Sequence, residues 1–292
     1  MAIKNITANT LLQINELFEL KNWPIELGNN RLTLYQRFCE RLRVFDSEEQ
    51  LLMIRLSRNF ERVLIQQYTE YFWLGYYNIP TEILESVDKI IFMPLLKIQD
   101  TKKKNKTKSS SALHYILSSG DYDWVDYSNK FLFIEDAADL QRELKERTIL
   151  IFIDDFLGSG GTARDTISSF IEKNINLTPV NTIILTMIAQ KQGVINVKTQ
   201  TGCQVFSNQV YGRGISDTFE GHMIDSSIAL MKEMERKIAP EIHKNGWSLG
   251  FEQTEALVSM SAKSPNNTFP VFWYETKTKV SPFPRYKEFK YS

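Results

Sequence analysis

Cysteine is scarce in this sequence of 292 residues, which contains only Cys39 and Cys203. Two cysteines do not provide the disulfide framework typical of small secreted proteins. Residues 1–7, M-A-I-K-N-I-T, also lack the apolar core of a secretory signal. We therefore expect a reducing, cytoplasmic location.

Long apolar runs, an excess of one charge and clustered histidines are missing as well. No apolar run approaches the roughly 18 residues of a membrane span, so we expect no membrane association. Lysine plus arginine equals aspartate plus glutamate at 35 each. Global charge therefore gives no reason to expect nucleic acid or lipid, and either partner would need a local patch. His114, His222 and His243 are scattered, and their spacing does not suggest a protein-built metal site.

The most informative stretch is residues 148–162, T-I-L-I-F-I-D-D-F-L-G-S-G-G-T. Its five apolar residues at 149–153 do not alternate with polar ones, which predicts a strand buried on both faces, as in a parallel α/β sheet. Two acids are expected where this strand ends, Asp154 and Asp155. A tight turn into a helix is then predicted from the residues that follow, namely Gly158, Ser159, Gly160, Gly161 and Thr162.

Such a turn would suit an anionic ligand. Main-chain N–H groups and hydroxyls point outward at a helix N-terminus, where the helix dipole favours a phosphate. The neighbouring acids would repel a bare phosphate, but ionised carboxylates accept hydrogen bonds from a vicinal diol. The sequence therefore indicates a ligand that carries sugar hydroxyls next to its phosphate.

Strands and helices alternate around this stretch. Further strands are predicted at 89–96, 129–134, 181–189 and 203–206, with helices between them. This order is typical of an α/β fold with a doubly wound parallel sheet, whose ligand binds outside the carboxyl ends of the strands. We expect a helical cap at residues 1–85, the α/β core at 86–215, and a helix, an aromatic strand and a tail at 216–292.

Basic residues lie near the expected ligand end of the sheet. Lys97 follows the first core strand, and residues 102–111 read K-K-K-N-K-T-K-S-S-S. The lysine run has three interpretations that stay open: a basic flap that meets ligand phosphates, a solvated loop, and a nucleic-acid contact. Lys108 and Ser109 open the next predicted helix and form a second candidate anion site.

Aromatic residues cluster between positions 68 and 77, and they have two interpretations. They could form a surface for base stacking, or they could pack in a core or an interface. We favour packing.

Residues 153–162, I-D-D-F-L-G-S-G-G-T, resemble the 5-phosphoribosyl-1-pyrophosphate (PRPP) motif of type I phosphoribosyltransferases. That motif is a hydrophobic strand, two acids, two apolar residues, a small residue, Thr or Ser, Gly, Gly and Thr, and every position is filled here. The glycines are not followed by the lysine of a Walker loop, and G-x-G-x-x-G is missing. The alternative is a glycine-rich turn beside two solvated acids.

The resemblance implies roles for particular residues. Asp154 and Asp155 would bind the ribose 2- and 3-hydroxyls and serve catalysis. The 5-phosphate would lie on Gly158, Ser159, Gly160, Gly161 and Thr162, with Lys97, Lys108 and Ser109 as further substrate-binding residues. Mg²⁺ would be held mainly by ligand and water. Enzymes of this class that act on 6-oxopurines carry an aspartate general base where this chain has Gly158, so any proton transfer must come from elsewhere.

The C-terminal region adds a second resemblance. Residues 265–273, P-N-N-T-F-P-V-F-W, are similar to the signature of bacterial phosphoribosyltransferase-like proteins assigned to antiphage conflict systems. Some of those proteins are encoded beside retron reverse transcriptases. The likeness implies an antiphage effector that makes or breaks a ribosyl C1 bond, with a retron reverse transcriptase and its DNA–RNA product as partners.

Two other functions stay open on the sequence alone. One is a catalytically silent regulator that binds PRPP or a nucleotide, and the other is a toxin subunit held by its partner. The sequence does not fix the base, the acceptor, the cellular target or the oligomeric state, and a homo-oligomer is among the options.

Overall fold

The structure is a computed structural model that describes residues 5–28, 31–101, 108–173, 175–261 and 264–285. The lysine run at 102–107 lies outside these ranges. The chain divides into two compact units, Leu64–Tyr211 on the one hand and Met1–Val63 with Gly212–Ser292 on the other.

Strands and helices are numbered along the chain. The strands are β1 (Glu61–Val63), β2 (Lys89–Pro94), β3 (Phe131–Phe133), β4 (Thr148–Leu157), β5 (Thr182–Gln190), β6 (Gln204–Tyr211) and β7 (Val258–Met260). The helices are α1 (Ala8–Leu20), α2 (Leu34–Leu42), α3 (Ser47–Ser57), α4 (Tyr68–Tyr76), α5 (Thr81–Glu85), α6 (Ile98–Thr101), α7 (Ser109–Ser118), α8 (Ala137–Glu143), α9 (Gly161–Glu172), α10 (Lys191–Thr201), α11 (His222–Ile238), α12 (Glu241–Lys244) and α13 (Pro270–Trp273). Within the described ranges, no helix combines the length and apolarity that crossing a membrane requires.

The unit Leu64–Tyr211 contains a five-stranded parallel sheet in the order β3-β2-β4-β5-β6. The chain moves outward from β2 to β3 and then returns to the other side of β2 for β4. The topological switch point therefore lies between β2 and β4, where an open α/β sheet binds its ligand. The predicted doubly wound α/β fold is confirmed.

Helices cover both faces of this sheet. On one face, α8, α9 and α10 share a core with three residues of β4, namely Leu150, Phe152 and Leu157. Helix α9 reaches this core through Ala163, Ile167 and Phe170, which recur at helical spacing along one side. On the other face, α4 packs on β5 and β6, and α7 packs on β2 and β4. Because both faces are covered, β4 needs apolar residues on both of its sides.

The aromatic cluster of α4 belongs to a core, as the packing interpretation predicts. Trp73 stacks on Phe131 with ring centroids 5.5 Å apart and lies 6.1 Å from Phe92. Tyr68, Phe72 and Tyr76 are buried as well. These rings fill the space between α4 and the sheet, so they are not available for base stacking.

The second unit joins the two ends of the chain. Strand β1 pairs in parallel with β7, with Glu61 opposite Val258. Phe60 lies 4.7 Å from Phe272 and 4.5 Å from Phe283, measured between ring centroids. Residues far apart in sequence therefore share one hydrophobic core in this unit.

This division differs from the three expected segments. Residues 64–85 belong to the unit that contains the sheet, because α4 packs directly on β5 and β6. Residues 1–63 and 212–292 together form the other unit, since β1 and β7 pair.

The prediction of an aromatic strand at residues 265–273 is wrong. Pro270 starts the short helix α13, because proline suits the first helical position. The preceding residues close the fold: Thr268 Oγ1 donates to Val258 O at 2.6 Å, and Trp273 Nε1 donates to Thr268 O at 2.7 Å.

Gly75 allows α4 to approach the sheet closely, and its replacement tests this packing. A Cβ at Gly75 would lie 2.9 Å from Asn208 N and 3.2 Å from Thr186 O. We expect Gly75→Ala to destabilise the protein by roughly 1–3 kcal/mol through overpacking, despite the higher helix propensity of alanine. Thermal unfolding measures the effect. Leu74→Ala, at an exposed position of the same helix, is the matched control and should be close to neutral. A midpoint for Gly75→Ala at or above that of the parent would contradict this packing.

Candidate functional site

The acid pair, Asp154 and Asp155, lies inside β4. Pairing with β5 continues from Asp154 opposite Thr186 to Leu157 opposite Ala189. The expectation that the strand ends at the acids is therefore wrong on the β5 side, because β5 is long enough to extend the ladder. On the β2 side, pairing ends with Pro94 opposite Ile153. The acid pair therefore comes immediately after the carboxyl end of β2, at the switch point of the sheet.

Asp154 collects two hydrogen bonds. Its Oδ1 accepts from Asp155 N at 2.9 Å and from Ser109 Oγ at 3.3 Å. Ser109 is the first residue of α7, so the structure brings this predicted site residue to the acid pair from a different element. Asp155 is only 5% exposed, whereas Asp154 is half-buried. Asp154 is thus the more accessible of the two carboxyl groups.

Burial raises the pKa of both carboxyl groups. For Asp154 the loss of water is the largest cause, and the negative charge of Asp155 raises its pKa further. The pKa of Asp155 is raised by burial too, although hydrogen bonds from Asp154 and Ser109 lower it in part. The site therefore resists carrying two negative charges unless a ligand or cation compensates them.

The glycine-rich turn, residues 158–162, links β4 to α9. Gly160 precedes the helix with φ +88°, a left-handed conformation that glycine adopts without a steric penalty. Gly158, Ser159 and Gly160 are buried, while Gly161 is half-buried and Thr162 is exposed. The first turn of α9 therefore opens at Gly161 and Thr162, where main-chain N–H groups have no partner within the helix.

Helix α10 supports this turn from behind. A Cβ at Gly193 would lie 2.0 Å from Gly158 O, so only glycine fits there. Asn196 Nδ2 donates to Ser159 O at 3.0 Å. Both residues are absent from the sequence-based site. Gly193 had a signal, since an isolated glycine in a helical segment often marks a close backbone approach, whereas Asn196 had none.

The predicted cation Lys97 is paired with α9. Its Nζ lies 2.8 Å from Asp165 Oδ2, and Arg164 Nη2 lies 2.7 Å from Asp165 Oδ1. These two partners lower the pKa of Asp165, with Lys97 as the larger cause. Asp165 and Arg164 were not predicted. Asp165 holds two cations, Lys97 and Arg164, at the first turns of α9. Lys108 directly precedes α7, next to Ser109.

The acid pair and the glycine-rich turn do not amount to a protein-built metal cage. In the part of the chain that the structure describes, no three His, Cys, Asp or Glu side chains come together as a metal-binding group. Mg²⁺ usually takes one or two carboxylates and completes its shell with water and substrate phosphates. The two carboxyl groups fit that donor set, and the magnesium assignment stays a prediction.

A parallel sheet of this order, with two acids at its switch point and a glycine-rich turn into a helix, defines a phosphoribosyltransferase-like α/β domain. A comparison with protein-family models agrees, since the PRTase-CE model, a phosphoribosyltransferase-like domain, matches residues 51–287. The chain belongs to the PRTase-CE family. A comparison with curated proteins finds no match.

Membership in this family supports an activity of the general glycosyltransferase type, in the pentosyltransferase class.

The contact of α10 with the turn predicts different effects on stability when two glycines, Gly193 and Gly161, are replaced by alanine. Gly193→Ala should destabilise the protein by roughly 1–3 kcal/mol, because the new Cβ collides with Gly158 O. Gly161→Ala is the control: the nearest atom to its Cβ is Ser159 Oγ at 3.8 Å, so this change should be neutral or slightly stabilising. Chemical denaturation of both variants measures the difference. Equal stabilities would show that α10 does not touch the turn.

The raised pKa of Asp154 predicts a stability that depends on pH. The folded protein retains the Asp154 proton more strongly than the unfolded chain, whose pKa is near 3.8. Folding therefore loses stability as the pH rises from 3.8 through the folded pKa. Asparagine cannot ionise, so Asp154→Asn should match the parent near pH 3.8 and exceed its stability increasingly above that pH.

Thermal unfolding from pH 4 to pH 8 checks this trend, with about 2–4 °C expected for each kcal/mol gained. Asp165→Asn provides a control of opposite sign. The lowered pKa of Asp165 contributes stability above pH 3.8, so its removal should cost stability at neutral pH. If Asp154→Asn lost stability at neutral pH as Asp165→Asn does, the claim that burial raises the pKa of Asp154 would be refuted.

Proposed function

We propose that this protein binds PRPP, or the 5-phosphoribosyl group of a nucleotide, at the switch point and makes or breaks the ribose C1 bond. The observation that supports this most is the position of Asp154. Its half-buried carboxyl is held by Ser109 and lies in the same strand-turn-helix segment as the open first turn of α9. A sugar diol needs an acceptor of this kind, and its phosphate needs a set of donors.

The two carboxyl groups have different parts in this proposal. Asp154, the more accessible one, accepts hydrogen bonds from the ribose hydroxyls. Asp155 is buried and donates its N–H to Asp154, so it orients that carboxyl group. Ligand hydroxyls supply hydrogen bonds that favour the charged form, so binding lowers the raised pKa of the pair.

Positioning and charge account for the chemistry. As the bond at C1 breaks, the ring carbon becomes cationic, and a fixed carboxylate close to the ribose stabilises it. The glycine-rich turn anchors the 5-phosphate so that C1 stays aligned. Gly158 has no side chain that exchanges protons, so the reaction uses a substrate whose base or acceptor needs no aspartate at that position. Mg²⁺, when bound, would neutralise charge on the pyrophosphate.

We further propose an antiphage effector of the retron type, with a retron reverse transcriptase and its DNA–RNA product as partners. Its support is the P-N-N-T-F-P-V-F-W sequence at residues 265–273. Co-purification from cells that carry both components tests it. A chain that brings down neither protein nor nucleic acid would remove this part of the proposal and leave ligand binding intact.

Two features favour a second candidate, a catalytically silent PRPP-binding or nucleotide-binding regulator. Lys97, the predicted cation after β2, is paired with Asp165, and no acid stands at position 158. Affinity for PRPP without any release of pyrophosphate, alone or with partners, would support the regulator over the enzyme.

Calorimetry with PRPP and Mg²⁺ tests ligand binding directly. Asp154→Asn should weaken the affinity about ten- to hundredfold, because a charged hydrogen bond contributes roughly 1.5–3 kcal/mol. Asp155→Asn should weaken it less, since the main-chain N–H that residue 155 donates to Asp154 is unchanged. Glu172→Gln, at an exposed position of α9, is the control and should bind as the parent does. If the parent has no measurable affinity for PRPP, ribose 5-phosphate or a nucleotide, the proposal fails.

A further inference from the structure

Helix α10 meets each buried residue of the glycine-rich turn. Gly193 lies against Gly158 O, and Asn196 Nδ2 donates to Ser159 O at 3.0 Å. A Cβ on Gly160 would come 3.0 Å from Gly193 O and 3.1 Å from Val197 Cγ2. The main chain of the turn therefore packs against α10 over three successive residues. Glycine has the greatest backbone conformational freedom of all residues, so these contacts restrict a segment that would otherwise be flexible.

These contacts fix the direction of two peptide groups. In a planar trans peptide, the carbonyl and the following N–H point in opposite directions. Because Gly158 O and Ser159 O face α10, the N–H groups of Ser159 and Gly160 point away from it. Neither N–H has a hydrogen-bond partner among the described residues, although both residues are buried. Buried main-chain donors without a partner are rare, so a ligand oxygen is the natural acceptor.

We propose that Asn196 is a positioning residue of the ribose phosphate site. Its amide orients the Ser159–Gly160 peptide so that the Gly160 N–H faces the 5-phosphate, while Gly193 leaves room for the Gly158–Ser159 peptide, whose N–H points the same way. This inference rests on the proposed function and adds the element that shapes the phosphate site. Asn196 itself does not touch the ligand.

Affinity for ribose 5-phosphate measures this role without any catalytic readout. Asn196→Ala should weaken binding about three- to tenfold, the range of one neutral hydrogen bond. Asn196→Asp should weaken it further, because a carboxylate cannot donate to Ser159 O and repels it. Ile195→Ala, at the exposed neighbouring position on α10, is the matched control and should bind as the parent does.

A double-mutant cycle separates positioning from a general loss of structure. If Asn196 acts through the phosphate side, its effect should add to that of Asp154→Asn, which removes the diol acceptor. Its effect should shrink in a Thr162→Val background, where the phosphate side is already impaired. A purely structural role would give the same loss in both backgrounds.

Amide hydrogen exchange tests the support without ligand. In the free protein, Asn196→Ala should speed exchange in a peptide covering residues 158–162, and Ile195→Ala should not. If the parent binds ribose 5-phosphate and Asn196→Ala binds equally well, the inference is overturned and the proposed function stands. If the parent binds no 5-phosphoribosyl compound, both are overturned. Unchanged exchange would also contradict the positioning role.

Discussion

The burial of two neighbouring carboxyl groups in the central strand is the constraint around which the Leu64–Tyr211 unit is built. Loss of water raises the pKa of both groups, so this arrangement opposes folding at neutral pH. The surrounding elements limit the cost, since Ser109 at the start of α7 and the main chain of Asp155 both donate to Asp154. A costly pair of this kind at the switch point of a sheet marks a candidate ligand site.

The glycine-rich turn combines backbone freedom with contacts that restrict it. Glycine permits the left-handed conformation at residue 160, but it also leaves the turn without side chains to fix it. Helix α10 supplies the missing rigidity through Gly193 and Asn196. The same absence of side chains allows the close approach of α10.

The sequence predicted the parts of the site that are contiguous. Residues 153–162 carry strand, acids and turn in one run, so their pattern needs no information from other elements. The contact of Asn196 with Ser159 joins residues 37 positions apart and leaves no local pattern. The length of β4 depends on how far β5 extends beside it, and the two-unit division depends on β1 pairing with β7. Long-range pairing decides these features, and a local pattern cannot show it.

The ion pair of Lys97 with Asp165 bears on the choice between the enzyme and the regulator. Both side chains are more than a third exposed, at 39% and 35%, so solvent screens their attraction. Exposed pairs of this kind contribute about 0–1 kcal/mol, which is less than a charged hydrogen bond to a pyrophosphate oxygen supplies. If the proposed pyrophosphate binds there, exchanging Asp165 for it would cost Lys97 little. Asp165 would then hold Arg164, and the pairing seen here is compatible with an active transferase.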